Sequence, residues 1–426
     1  APILFENCVS CHRPGEVAPM SLMTYKSSRP WARSIKSKVV SREMPPWHAD
    51  PAASLPFKND RRLSQDQVDT IVAWVDGGSP QGNVADLPAV PTFEDGWGHP
   101  SGRDPDVIVP VPVEYEVPAD GVAPYVFFIS KLPFEKDVFA EATESRPGNR
   151  SVVHHLLTTP RRFDYEPHPG PALQEPWYRK SADDLGATDL TTRALGQLSF
   201  YTPGNGFEQY PPGYGKRIIG GPNAYLTFSL HYQPTGKPEL DQSSMGIWLM
   251  KEEDVKKEMV RDGIQSATAL AEGTELLGPD YLASGVHSLA PNIPAHASNY
   301  KMVSVEPFET ATTIFKFNPH AHLRGKDFTY TLVYPDGSEQ TILSVPQYDF
   351  NWQTNYELET PLFVPAGTKL VATGHFDNST ANRYNPSPER EVEWAEQSWD
   401  EMFWPFTIYG EDLPESSKST TQDQDQ

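Results

Sequence analysis

Apolar and polar residues alternate sharply between positions 315 and 323. Read as a strand, Phe315, Phe317, Ala321 and Leu323 fall on one face and fill a core, while Lys316, Asn318, His320 and His322 fall on the other. The same period of two runs through Ala224 to Tyr232. There Leu226, Phe228 and Leu230 face a core, and Tyr225, Thr227, Ser229 and His231 face away. Shorter apolar runs predict strands at 107–109, 125–129, 151–157 and 370–376. A hairpin is predicted from 328–334 and 340–345, turning at Pro335-Asp336-Gly337. Ahead of residue 83 the period becomes helical. Ser28 is expected to cap a helix with Pro30 in its first turn and Trp31, Ile35 and Val39 on one face. Ser64 to Gln67 forms a capping box before Val68, Ile71, Val72 and Val75, and Gly77 ends that helix. Lys251 to Arg261 is charged and reads as a short helix or a loop.

These patterns divide the chain. Residues 1–83 form a small helical domain, 84–105 a Pro-, Gly- and Asp-rich linker, and 106–245 and 246–412 two strand-rich domains. Residues 413–426 form a polar, disordered tail. The expected class is mainly β. With 43 Pro, 29 Gly and 11% aromatic residues, the composition suits sandwiches with many turns better than a helical protein. The formal charge of −22 argues against a nucleic-acid partner, which needs a basic footprint. No apolar run reaches the length of about 18 residues that a membrane span requires. The start at Ala1-Pro2 suits a mature chain after removal of a signal peptide, hence a periplasmic or secreted protein.

The chemistry lies in the cysteines and histidines. Cys8-Val9-Ser10-Cys11-His12 is the C-x-x-C-H pattern that attaches a c-type haem. The two thiols form thioethers to the vinyl groups and the next imidazole reaches the iron, giving one covalently bound haem c. No βαβ context supports a thioredoxin-like reading, and no third cysteine exists. Two imidazoles two residues apart, as His320 and His322 are, bite one metal from one strand face. His154 and His155 are adjacent, so a regular strand would aim them at opposite faces. To share a metal they need a twist, a bulge or coordination through different ring nitrogens. His231 ends the polar face of its strand. His287 and His296 are assigned no role, and that of His375, on the 370–376 strand, stays open.

The helical region resembles a small class I cytochrome c. In that likeness Met44, in the proline-braced Met44-Pro45-Pro46 loop, stands at the sixth haem ligand, with Met20, Met23 and His48 as alternatives. His and Met ligation would raise the potential relative to two histidines. From about 106 to 412 the order His154-His155, His231, His320-x-His322, Asp400-Glu401-Met402 resembles the copper type II, ascorbate-dependent monooxygenases. These include the peptidylglycine α-hydroxylating and dopamine β-monooxygenases. The resemblance implies two jelly-roll-like β-sandwich domains and two copper ions. One ion, on His154, His155 and His231, would transfer electrons. The other, on His320, His322 and Met402, would be the catalytic one, where O2 and a small-molecule substrate meet.

Three departures matter. The chain has no cysteines for the disulfides of the animal enzymes, and it carries its own haem domain, which needs a redox partner. Asn318, Trp404 and Phe406 replace the Arg, Asn and Tyr that hold a peptide carboxylate in the peptide-amidating enzymes, which points to a more apolar substrate. The competing classes are a haem and copper electron-transfer protein, or a haem-coupled copper oxidoreductase acting on a small inorganic substrate. A blue-copper carrier is excluded because its Cys thiolate is missing. A copper store is disfavoured because eight Met and twelve His are dispersed.

Overall fold

A computed structural model describes residues 1–93, 96–121, 123–163, 167, 171, 196–263, 293–393, 395 and 397–412. The protein is mainly β with several sheets. The longest sheet runs in the order Val107–Pro110, Ser244–Met250, Val138–Arg146, Tyr214–Ile218, Lys257–Gly263, Phe403–Asp412, Thr312–Ala321, Tyr356–Val364. Its two halves each bury one face with strands of a four-stranded sheet. Val126–Lys131, Ala224–Tyr232, Val153–Arg162 and Ser199–Tyr201 form one of these. Tyr300–Pro307, Lys369–Phe376, Gly325–Val333 and Glu339–Val345 form the other. Two apolar cores result, one around Phe128, Phe228 and Ile247, the other around Phe317, Phe328 and Phe376.

The strand Lys257–Gly263 joins the halves. It pairs in parallel with Tyr214–Ile218 and antiparallel with Phe403–Asp412. This corrects the reading of 251–261 as a helix or loop. Only Glu252–Asp254 is helical, as a single 3-10 turn. The charges concealed the strand because Glu258, although buried, is held by the Arg217 guanidinium at 2.9 Å. A second correction concerns Phe315. A register shift between Ile314 and Lys316 puts a bulge there. Phe315 therefore packs in the first core, against Tyr214, while Phe317 fills the second.

The helices follow their local signals with one exception. Ser64 and Gln67 make the expected reciprocal capping box, the helix Gln65–Asp76 buries Val68 and Ile71, and Gly77 is its C-cap. Ser28 caps nothing. The helical turn starts earlier, at Tyr25, where Thr24 and Ser27 form the box, and Ala32–Val40 continues it, burying Ile35 and Val39. The chain then crosses to the second half of the β structure. Trp47, Ala49 and Phe57 enter its core, Trp47 meeting Tyr356 edge-on at 5.0 Å. The Asp50, Leu55 and Lys58 amides donate to the carbonyls of Ser344, Ile342 and Glu357. The 84–105 stretch is also packed down. Phe93 lies under the Arg13 guanidinium, and Trp97 meets Trp248. No helix among the described residues is long and apolar enough to cross a membrane. The tail beyond 412 and His287 lie outside the described residues.

Candidate metal centre

His154 and His155 share a site because the strand is bulged between them. Val153 pairs with Tyr232 and His155 with His231, so His154 is the extra residue of the bulged strand. The bulge brings both rings to the side where His231 stands. The Nδ1 atom of His154 lies 3.2 Å from Nδ1 of His155 and 3.2 Å from Nδ1 of His231. One nitrogen from each ring converges within 4.8 Å of the others, a donor set that fits a single metal ion.

The outward nitrogens are all held. His154 Nε2 donates to the Asn351 carbonyl at 3.1 Å, His155 Nε2 meets the Tyr125 hydroxyl at 2.7 Å, and His231 Nε2 meets the Ser398 hydroxyl at 3.4 Å. A carbonyl only accepts, so the His154 proton is fixed on Nε2 and Nδ1 presents a lone pair inward. Such outer partners orient metal-binding imidazoles. Burial lowers all three imidazole pKa values, and for His155 and His231 the neighbouring rings depress them further. The rings are neutral, as metal ligation requires.

The second group is less enclosed by partners. His320 stands opposite Trp404 and Ala321 opposite Phe403, so His322 and Met402 are the residues next to the two ends of this paired stretch. His320, His322 and Met402 are all buried. The His320 Nδ1–H donates to the Gln353 side-chain oxygen at 2.6 Å, leaving Nε2 as the free donor atom. Burial lowers its pKa to about 4. His322 lies well below the ordinary value for the same reason. The neighbouring His320 lowers it further while the Asp400 and Gln397 backbones act to raise it, and neither ring nitrogen makes a hydrogen bond. Glu401 ties the pieces together. Its carboxylate accepts from the backbone amides of His322, Arg324 and Met402 at 2.5–2.9 Å. Burial pushes its pKa up to about 7 against those donors.

The two groups form one neighbourhood. The ring centroids of His155 and His320 are 6.3 Å apart. Tyr125 stacks on His231 at 4.7 Å and lies 5.8 Å from His322. Phe350 sits among the rings, within 6.3 Å of His154, His155, His231 and His322. The loop bearing Phe350, Asn351 and Gln353 is fastened to the histidine strand. Tyr348 exchanges hydrogen bonds with the Ala321 backbone, and the Asn318 amide donates to the Gln353 and Thr354 carbonyls. Trp404 and Phe406 each approach His320 to 6.3 Å. The reading of the sequence passed over Tyr125, Phe350, Gln353 and Ser398. None of them belongs to a motif, and only the folded chain brings them to the imidazoles.

The C-x-x-C-H segment forms a tight turn. The Cys8 carbonyl accepts from the Cys11 and His12 amides. Both cysteines are unpaired. Burial pushes the Cys8 thiol up to about 12 and raises Cys11 as well, the opposite of a reactive redox pair. His12 Nδ1 donates to the Met20 carbonyl at 3.3 Å, which leaves Nε2 free for a metal. These residues fit a covalently held haem. Met20 and Met23 pack on the helical core with Cys8. Met44 lines a hollow with Arg42, Pro45 and Leu63, the last of which belongs to that core. His48, its pKa lowered by burial, is near Asp349. His375 pairs with Asp327 at 2.6 Å, away from the cluster.

No family model and no curated protein matches the chain. Among solved structures, an uncharacterised protein, lmo2446, from Listeria monocytogenes EGD-e is similar at 13% identity and a TM-score of 0.16, over 43% of this chain and 14% of that one. A Paenibacillus xanthan lyase is similar at 10% identity and a TM-score of 0.17, over 73% of this chain and 26% of that one. Procruciferin, an 11S globulin from Brassica napus, is similar at 10% identity and a TM-score of 0.12, over 72% and 84%. The chain thus spans about a seventh and a quarter of the first two, and likenesses at these scores carry no argument about fold or function.

Proposed function

We propose that the chain is a copper-dependent monooxygenase that hydroxylates a C–H bond of a small, apolar organic substrate with O2. Its electrons would come through a fused c-type haem. The observation that carries this reading is the convergence of His154, His155 and His231, with His320 and His322 beside them. When bound, the two copper ions would store one electron each and offer oxygen an open position, while the haem would carry electrons singly. In this reading 1–83 is the cytochrome c-like domain, with Met44 or another of the named candidates as sixth ligand. The two β regions are jelly-roll-like copper domains, and the protein works in the periplasm or outside the cell.

The chain's own residues have definite tasks. The Nδ1 atoms of His154, His155 and His231 hold the first ion, and Asn351, Tyr125 and Ser398 fix the ring planes. His320 offers Nε2 to the second ion, with Gln353 fixing its tautomer. Met402 supplies a soft thioether that favours Cu(I). Tyr125 and Phe350 would pack apolar rings between the two groups. Trp404 and Phe406 give the His320 side an aromatic wall where a carboxylate clamp would stand in a peptide-amidating enzyme. One observation favours a small inorganic substrate as the second reading, namely that Phe350 occupies the space among four of the five imidazoles. Incubating reduced, copper-loaded protein with O2 and a periplasmic extract separates the two. A product heavier by one oxygen atom supports hydroxylation, and oxygen consumption without such a product overturns it.

A further inference from the structure

We propose that electrons from the haem reach the metal centre at the His154/His155/His231 group, across a contact between the Cys11 turn and the loop 202–206, with Glu16 and Arg150 as the positioning residues. This rests on the haem and copper reading above. The loop passes close to the thiol. A Cβ placed on Gly204 would lie 3.4 Å from Cys11 Sγ and 4.0 Å from Arg61 Nη1. The loop tip is stiff, since Thr202 and Asn205 exchange both backbone hydrogen bonds and Gly204 takes a φ of +81°. On its other side Thr202, Pro203 and Asn205 join Arg61 and Pro46 in a cleft whose far wall is His154 and His155. The loop leaves directly from Ser199–Tyr201, which pairs with the strand carrying both histidines, and Phe200 lies 5.9 Å from His155. Of the histidines in the two groups, His154 and His155 line this cleft, while the second group meets it through Gln353, the partner of His320. The thiol that would carry the haem edge is therefore separated from the first histidine group by one short loop.

The turn is clamped as well as tethered. The Glu16 carboxylate, buried, accepts from Arg13 at 2.6 Å and from Arg150 at 2.7 Å. Arg150 stands four residues before His154 in the chain. Arg13 still pairs with Glu16 when Arg150 is removed, but Arg150 is the partner that ties the turn to the segment before the histidine strand, so losing either Glu16 or Arg150 breaks that tie. A tether alone sets an average concentration, whereas this clamp fixes one geometry. The step is a single electron transfer. Ferrous haem becomes ferric, one Cu(II) in the first group becomes Cu(I), and no atom or proton moves.

The test uses the full chain, with haem content read by absorbance and copper by metal analysis. Dithionite-reduced haem protein is mixed anaerobically with Cu(II), and stopped-flow absorbance follows haem reoxidation. Reoxidation is expected to be lost in His231→Ala and kept in His320→Ala. Arg150→Glu and the isosteric Glu16→Gln should slow it by about tenfold or more at unchanged haem and copper content, and Arg150→Lys should restore it. Wild-type rates in His231→Ala, or in a fully loaded Glu16→Gln, overturn the route while leaving the monooxygenase reading intact. A wild-type protein that takes up no haem or no copper overturns that reading and the route with it.

Discussion

The two histidine groups sit side by side but are built to different degrees. In the first, three Nδ1 atoms already face one another and every outward nitrogen has a partner. In the second, His320 is held by Gln353 while His322 has no hydrogen-bonded nitrogen, and the third candidate donor comes from a different strand. A fully partnered cage changes little when its ion changes charge. A partly held one leaves room for a ligand to bind and leave. The contrast matches an electron store beside a reactive site, and it can be broken or sharpened by experiment.

The largest effect is expected at His155, which is fully buried and touches both groups. His155→Ala should abolish metal binding at the first group, dropping copper from two ions to one per chain by elemental analysis. Retention of both ions would remove His155 from the ligand set. Met402→Ala should leave the first copper and the haem in place and cut oxygen-dependent turnover sharply. Loss of both coppers together, or unchanged turnover, would contradict a separate reactive ion there. Gln353→Leu removes only the partner of His320, so affinity at the second group should fall by roughly 10–100-fold with the first unaffected. A metal titration that finds both sites weakened equally would show the groups to be one inseparable unit.

The smallest effect concerns pH. All five imidazoles lie below the ordinary value near 6.5, His320 at about 4, because burial penalises their charged forms. Above pH 6.5 neither the folded nor the unfolded chain protonates them, and the folded state keeps its full stability. As pH falls from 6.5 toward 4, the unfolded chain takes up protons that the folded rings do not. His320 alone then costs about 1.4 kcal/mol of stability per pH unit in that window. Denaturant unfolding of metal-free protein at pH 7 and pH 5 should show the loss. A flat profile would mean that the rings are solvated in the metal-free state.

Some elements were legible because their signals are local. Ser64 and Gln67 announce a helix start within four residues, and the alternation of Leu226, Phe228 and Leu230 opposite His231 fixes which face is buried. That His154 and His155 need a twist, a bulge or different ring nitrogens to share a metal could also be stated in advance, since adjacent side chains on a regular strand diverge. What the sequence could not state was whether the bulge existed. Its evidence is a one-residue shift against a strand some 75 residues later. Phe315 went astray for the same reason, because a second bulge reverses its face without changing the alternation that can be read along the chain.

The sequence by itself determined the Ser64 helix cap, the buried face of the strand carrying His231, and the spacing of His320 and His322. All of these depend on residues a few positions apart. Only the tertiary structure decided that His155 would lie beside His320, that Asn351, Tyr125, Ser398 and Gln353 would hold the rings, and that Cys11 would rest against Gly204. Those contacts join segments up to 197 positions apart, as with His154 and Asn351. Their register is set by which strands pair and where they bulge, and the periodicity of a single segment carries no information about its partner.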